Sequence, residues 1–120
     1  MDHEQLLSQA ERALVGLDAE ALVGLYAPKC LLVDIPSGIQ MTERSALKSY
    51  YDQLFALRDI AFTDVSFFSV GDRAAGEWTW RGRSSKSGNE FAIRGASLFK
   101  LSEEGIIEEL LFYDPRSAQA

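Results

Sequence analysis

The stretch Gly95–Pro115, GASLFKLSEEGIIEELLFYDP, decides how the chain is read. Two apolar runs rich in Phe, Ile and Leu flank the polar turn SEEG (102–105), and the second ends on Asp114-Pro115. Runs of this kind, bounded by turn residues, predict two strands of a hairpin, 90–101 and 106–113. Working back along the chain, SSKSGN (84–89) is a second polar turn and Gly71-Asp72 a third. They delimit two further strands, 73–85 and 60–70. Short turns between consecutive strands predict an antiparallel meander.

The first half has a different period. Leu6, Leu7, Ala10, Ala13, Leu14 and Leu17 recur every three or four residues, one apolar stripe of a helix. Gly16 is a stop signal. Asp18 reads as the N-cap of a short second helix with stripe Ala21, Leu22, Leu25 and Tyr26, ended by Pro28. CLLVDIPSG (30–38) is a strand, 30–35, running into a turn at Pro36-Ser37-Gly38. Thr42-Glu-Arg-Ser is a weak capping signal for a third helix. Ala46, Leu47, Tyr50, Tyr51, Leu54 and Phe55 form its apolar face, with Tyr50 placed inward by its phase with Leu47 and Leu54. Helices followed by long strands predict an α+β fold, with the helices on one face of a curved sheet.

Alternation of side chains along strand 73–85 puts Ala74, Gly76, Trp78, Trp80 and Gly82 on one face. Tryptophans among small residues suggest an inward face with room left in it, and the glycines suggest a sheet that bends. Arg81 and Arg83 fall on the opposite face, as a solvated or dimer-facing ladder.

The 120 residues suit one domain, 1–120. Lys plus Arg is 12 and Asp plus Glu 18, a net charge of −6, which argues against nucleic acid and against an anionic membrane surface as partners. Cys30 is the lone cysteine, so no intrachain disulfide can form, and it reads as a small buried hydrophobe. The N-terminus MDHEQLLSQAER lacks the basic and apolar regions of a signal peptide, and no run is long enough to span a membrane. A cytoplasmic protein is the expectation. No phosphate loop, metal-ligand cluster or catalytic-triad spacing is present.

The order helix, short helix, LVGLYAPKCLLVDIPSG, then a helix with ALKSYYDQL resembles the first half of the SnoaL-like proteins of the nuclear transport factor 2-like superfamily. GDRAAGEWTWRGR and GASLFKLSEEGIIEELLFYDP resemble the second half, and the resemblance covers roughly residues 3–116. It implies a cone-shaped α+β fold, a curved antiparallel or mixed sheet wrapped around the long helix. It also implies an apolar pocket open at one end, and dimers formed through the sheet. Activities in the family include polyketide cyclisation, steroid double-bond isomerisation, epoxide hydrolysis and dehydration, alongside non-catalytic binders. Its enzymes work without a cofactor, with one or two carboxylates acting as acid and base on a small apolar molecule.

The resemblance makes Asp34 the first candidate, because it matches the general-base aspartate of the ketosteroid isomerase branch. An Asp in an apolar mouth has its charged form disfavoured and so becomes a better base. The plainer reading is that Asp34 caps the 36–38 turn. Asp114, in the closing Tyr-Asp-Pro, is the second candidate carboxylate, with turn capping again the alternative. Leu22, Tyr26, Tyr50, Trp78 and Trp80 are the expected lining for a small apolar or aromatic ligand. The isomerase's helix-1 tyrosine has no counterpart, and its acid on the penultimate strand falls near Ala96 or Ser97 here. WTWRGR lacks the aspartate of the epoxide hydrolases. His3, the only histidine, lies outside the dehydratase position. Two readings result: a cofactor-free cyclase, isomerase or lyase, or a ligand-binding or structural dimer.

Overall fold

The computed structural model describes residues 2–116. Its elements run α1(His3–Val15), α2(Ala19–Val23), β1(Tyr26–Asp34), β2(Ile39–Met41), α3(Arg44–Phe55), β3(Ala61–Val70), β4(Arg73–Arg83), β5(Glu90–Ser102) and β6(Gly105–Tyr113). Asp2 caps α1 by accepting from the Glu4 amide at 3.0 Å, and Asp18 caps α2 by accepting from the Ala21 amide at 3.0 Å. These bonds satisfy amides that a helix N-terminus leaves free. The stripe of α1 is buried from Leu6 to Leu14 as its spacing predicts. Among the described residues no helix is long and apolar enough to cross a membrane.

The strands form a curved mixed sheet in the order β2-β1-β6-β5-β4-β3. The antiparallel run from β3 to β6 is the predicted meander. The edge departs from it, because β1 lies parallel to β6 and the short β2 pairs antiparallel with β1. Pairing between β1 and β6 breaks between Tyr26 and Leu31, where Pro28 and Lys29 are exposed. Pro28 therefore sits in an irregular strand and does not end α2, which stops at Gly24. Tyr26 starts β1 and is not part of the α2 stripe. Helix α3 begins at Arg44, and its cap residue Glu43 makes no side-chain cap bond, so the Thr42 signal has no counterpart. Both tyrosines of α3 face inward, and Tyr51, at 5 % exposure, is more buried than Tyr50.

Glycines on the inner face of the sheet receive aromatic rings, so the space they leave is filled. At Gly95 an added Cβ would lie 2.3 Å from Trp78 Cη2, and at Gly76 it would lie 1.9 Å from the Phe67 ring. Trp78 cannot retreat freely, because its Nε1 donates to Ser97 Oγ at 3.0 Å. Gly95→Ala is therefore expected to cost about 2 kcal/mol, as overpacked cores do, read as a lower midpoint of urea unfolding. An unchanged midpoint would show that the Trp78 ring is free to shift. Arg81 and Arg83 point outward as predicted, pairing with Asp64, Asp59 and Glu90. Such exposed pairs contribute little each.

Candidate functional site

Helices and the concave face of the sheet enclose a cavity of about 70 Å³ with contributions from α1, α2, α3 and every strand except β2. Nine of its seventeen lining residues are aromatic, so the walls are rigid ring surfaces. Tyr50, Leu54, Phe67, Trp80 and Tyr113 are only half-buried, whereas Tyr26, Ser97, Ile106 and Glu109 are buried almost completely. The first set rims the cavity and the second forms its floor.

The floor holds a hydrogen-bonded chain centred on Glu109, which is 5 % exposed. Trp78 Nε1–H donates to Ser97 Oγ, and the Ser97 hydroxyl bonds in turn to the Glu109 carboxylate. Tyr26 donates its hydroxyl to Glu109 Oε1, and the Tyr26 and Tyr51 hydroxyls are 3.0 Å apart. Tyr26 has one proton and gives it to Glu109, so Tyr51 is the donor to Tyr26. Burial pushes the Glu109 carboxyl up from its ordinary range, and the bonds from Tyr26 and Ser97 pull against that. Burial, with Glu109 beside them, holds the Tyr26 and Tyr51 hydroxyls far above the usual phenol range, so both stay protonated.

A second cluster stands behind the rim. Asp34 is 3 % exposed and accepts from Tyr113 Oη at 2.9 and 2.8 Å and from Tyr50 Oη at 3.2 Å. It also accepts from the Ser37 amide at 3.3 Å, the turn-capping bond the sequence allowed. Asp34 thus does not line the cavity itself. It fixes two tyrosines that do, and burial raises both of their pKa values first, with Asp34 adding to it. Among the described residues the ion pairs lie on the surface, and none involves Asp34 or Glu109. Trp80 Nε1 is the buried side-chain donor left without a partner among them.

Of the residues singled out from the sequence, Leu22, Tyr26, Tyr50, Trp78 and Trp80 line the cavity. Asp114 does not. Its side chain is 56 % exposed and bonds Arg116 Nε at 2.9 Å, which holds the Asp114 carboxyl down at about 2. A strand end that runs out into solvent explains this: Tyr113 is the last β6 residue turned inward. Sequence reasoning missed Glu109 and Tyr113. Their signal is the alternation Glu109, Leu111, Tyr113 along β6, which puts the acid in phase with two inward side chains. The irregular pairing between Lys100 and Leu101 interrupts the count from the turn, and the neighbouring Glu108 disguises which acid faces in.

A cone of sheet wrapped over helices around an apolar pocket defines the nuclear transport factor 2-like class. The SnoaL-like domain profile matches residues 8–110, and the chain belongs to that family. No curated protein matches it in sequence. Among solved structures it resembles a hypothetical protein with a ketosteroid isomerase-like fold from Catenulispora acidiphila DSM 44928, in complex with trimethylamine. That match has a TM-score of 0.82 at 23 % identity over 95 % of this chain and 88 % of that one. It also resembles a polyketide cyclase candidate from Pseudomonas putida KT2440, with a TM-score of 0.81 at 16 % identity over 98 % and 95 %. A nuclear transport factor 2-like protein from Burkholderia thailandensis E264 gives 0.82 at 16 % identity over 96 % and 92 %. Likeness at these identities speaks for the fold.

Proposed function

We propose that the protein binds a small organic molecule in this cavity and that Glu109 moves a proton on it without a cofactor. The reaction class is an isomerisation, cyclisation or elimination next to a carbonyl group. One observation carries the reading: a carboxyl group 5 % exposed, lining an apolar cavity and joined to a chain of hydroxyls. Burial raises its proton affinity toward the range a general base needs. When Glu109 takes a proton from the ligand, its new O–H can donate to Tyr26, and Tyr26 and Tyr51 need only rotate their hydroxyls to follow. The proton then returns to a different atom of the ligand. Asp34 serves as a positioning residue, holding Tyr50 and Tyr113 at the rim.

A second reading, a ligand-binding module without turnover, is favoured by one observation. The four lining tyrosines all spend their protons inside the protein, so none is free to stabilise an oxyanion, usually the largest catalytic term. The neighbour holding trimethylamine supports a small ligand under either reading. Proton exchange separates them. Wild-type protein incubated with acetone, butanone or cyclopentanone in heavy water is expected to speed loss of the α-proton signal in a saturable way. No acceleration with any ketone would overturn the proton-transfer reading.

The outer face of the sheet supports a homodimer. Phe68, Ala75, Leu98 and Leu110 stand in one row across β3, β4, β5 and β6, and Phe68 and Leu98 are 64 % and 49 % exposed. An apolar row of this kind on a sheet surface fits a second copy. Leu98→Glu would place a charge in that interface. It is expected to weaken self-association about tenfold or more in sedimentation equilibrium, and an unchanged molecular weight would rule this face out.

A further inference from the structure

We infer that the cavity takes a compact organic cation, an alkylated ammonium group of about the size of tetramethylammonium. The inference rests on the reading of the cavity as a ligand site and names the chemical class of its occupant. Charge is the first argument. Glu109, 5 % exposed, lines the floor of the cavity, and Asp34, 3 % exposed, stands behind its rim under Tyr50 and Tyr113; neither has a lysine or arginine partner among the described residues. Buried acids are ordinarily paired or neutralised. Here hydroxyls and amides surround them, and the place for a compensating positive charge is the cavity.

The second argument is a count of donors. Tyr26 donates to Glu109, Tyr51 to Tyr26, and Tyr50 and Tyr113 to Asp34. Each phenol has one proton, so a ligand meets ring faces and oxygen lone pairs and no free phenolic donor. That surface repels an anion and offers a cation both electron-rich rings and carboxyl oxygens. The rings are also set at angles to one another: Trp80 to Tyr113 at 86°, Phe62 to Trp78 at 75°, Trp78 to Tyr113 at 56°. Rings that meet edge to face wall a space from several directions, as an aromatic cage around an alkylammonium does. Size is the third argument. About 70 Å³ is small beside the cavities of several hundred Å³ that hold drug-sized ligands. A compact head fits that space, whereas a flat polycycle does not.

The test compares tetramethylammonium chloride with tert-butyl alcohol, a neutral molecule of nearly the same shape, by calorimetric titration of the whole protein at constant ionic strength. Tetramethylammonium is expected to bind at least about tenfold more tightly than the alcohol. Glu109→Gln and Asp34→Asn are each expected to weaken the cation about tenfold and the alcohol by clearly less, so that the preference for the cation shrinks. Asp34→Asn carries the test alone should Glu109→Gln fail to fold. Equal or tighter binding of the alcohol would overturn the cation and leave the ligand cavity standing. Saturable binding of neither probe at millimolar concentration would overturn both.

Discussion

Tyr26→Phe is expected to cost about 3 kcal/mol of stability at neutral pH and clearly less at acid pH, although it removes one oxygen atom. That atom is the donor to Glu109 and the acceptor from Tyr51, in a site where Tyr26 is 1 % and Glu109 5 % exposed. Losing a bond to a charged group, and leaving that charge buried and under-satisfied, costs roughly 1.5–3 kcal/mol or more. The pH dependence follows from burial, which raises the Glu109 carboxyl above its unfolded value. Between the ordinary carboxylate range and the raised value, the folded protein holds a proton that the unfolded chain has lost. Stability therefore falls as pH climbs through that window. Phenylalanine removes a bond that favours the ionised form, so it raises the folded value further, and each added unit costs about 1.4 kcal/mol above the window. Below the window Glu109 is neutral in both states, and only a neutral hydrogen bond is lost. Urea midpoints of both proteins, followed from about pH 3, below the ordinary glutamate value, upward through neutral pH, measure this. A penalty that does not grow as pH rises would contradict it.

Much of this architecture can be read from the residues alone. The helical stripes, the long strands and the inward face of Trp78 and Trp80 are local patterns, and burial follows them. Where partners are distant in sequence, the pattern fails. The parallel pairing of β1 with β6 brings together segments separated by most of the chain, and β2 is three residues long. Asp34 shows the difference within one residue. Its turn bond to Ser37 is local and was foreseeable, but its bonds to Tyr50 and Tyr113 span 16 and 79 residues. Those two decide that it stands behind the rim and not in the cavity. Glu109 is the reverse case: its phase with Leu111 and Tyr113 is written in the strand. Its partners Tyr26 and Ser97 come from two other strands, so the chemistry of the site emerges only when the sheet closes.

Glu109→Gln is expected to lower ligand proton exchange about a hundredfold or more, the usual contribution of a positioned general base. The amide matches the carboxyl in shape. Its oxygen can still accept from Tyr26 and its nitrogen can donate to Ser97, so the floor stays filled and hydrogen-bonded. What it cannot do is take up a proton at working pH. Asp34→Asn acts differently, since it only loosens Tyr50 and Tyr113. It is expected to raise KM while keeping kcat within about tenfold, the signature of altered binding and positioning. The most direct measurement is therefore the α-proton exchange rate of one ketone in heavy water, followed by proton NMR for the wild type, Glu109→Gln and Asp34→Asn side by side. The account predicts that exchange collapses in Glu109→Gln and persists in Asp34→Asn. Exchange that survives in Glu109→Gln and disappears in Asp34→Asn would contradict it and return the proton-transfer role to Asp34.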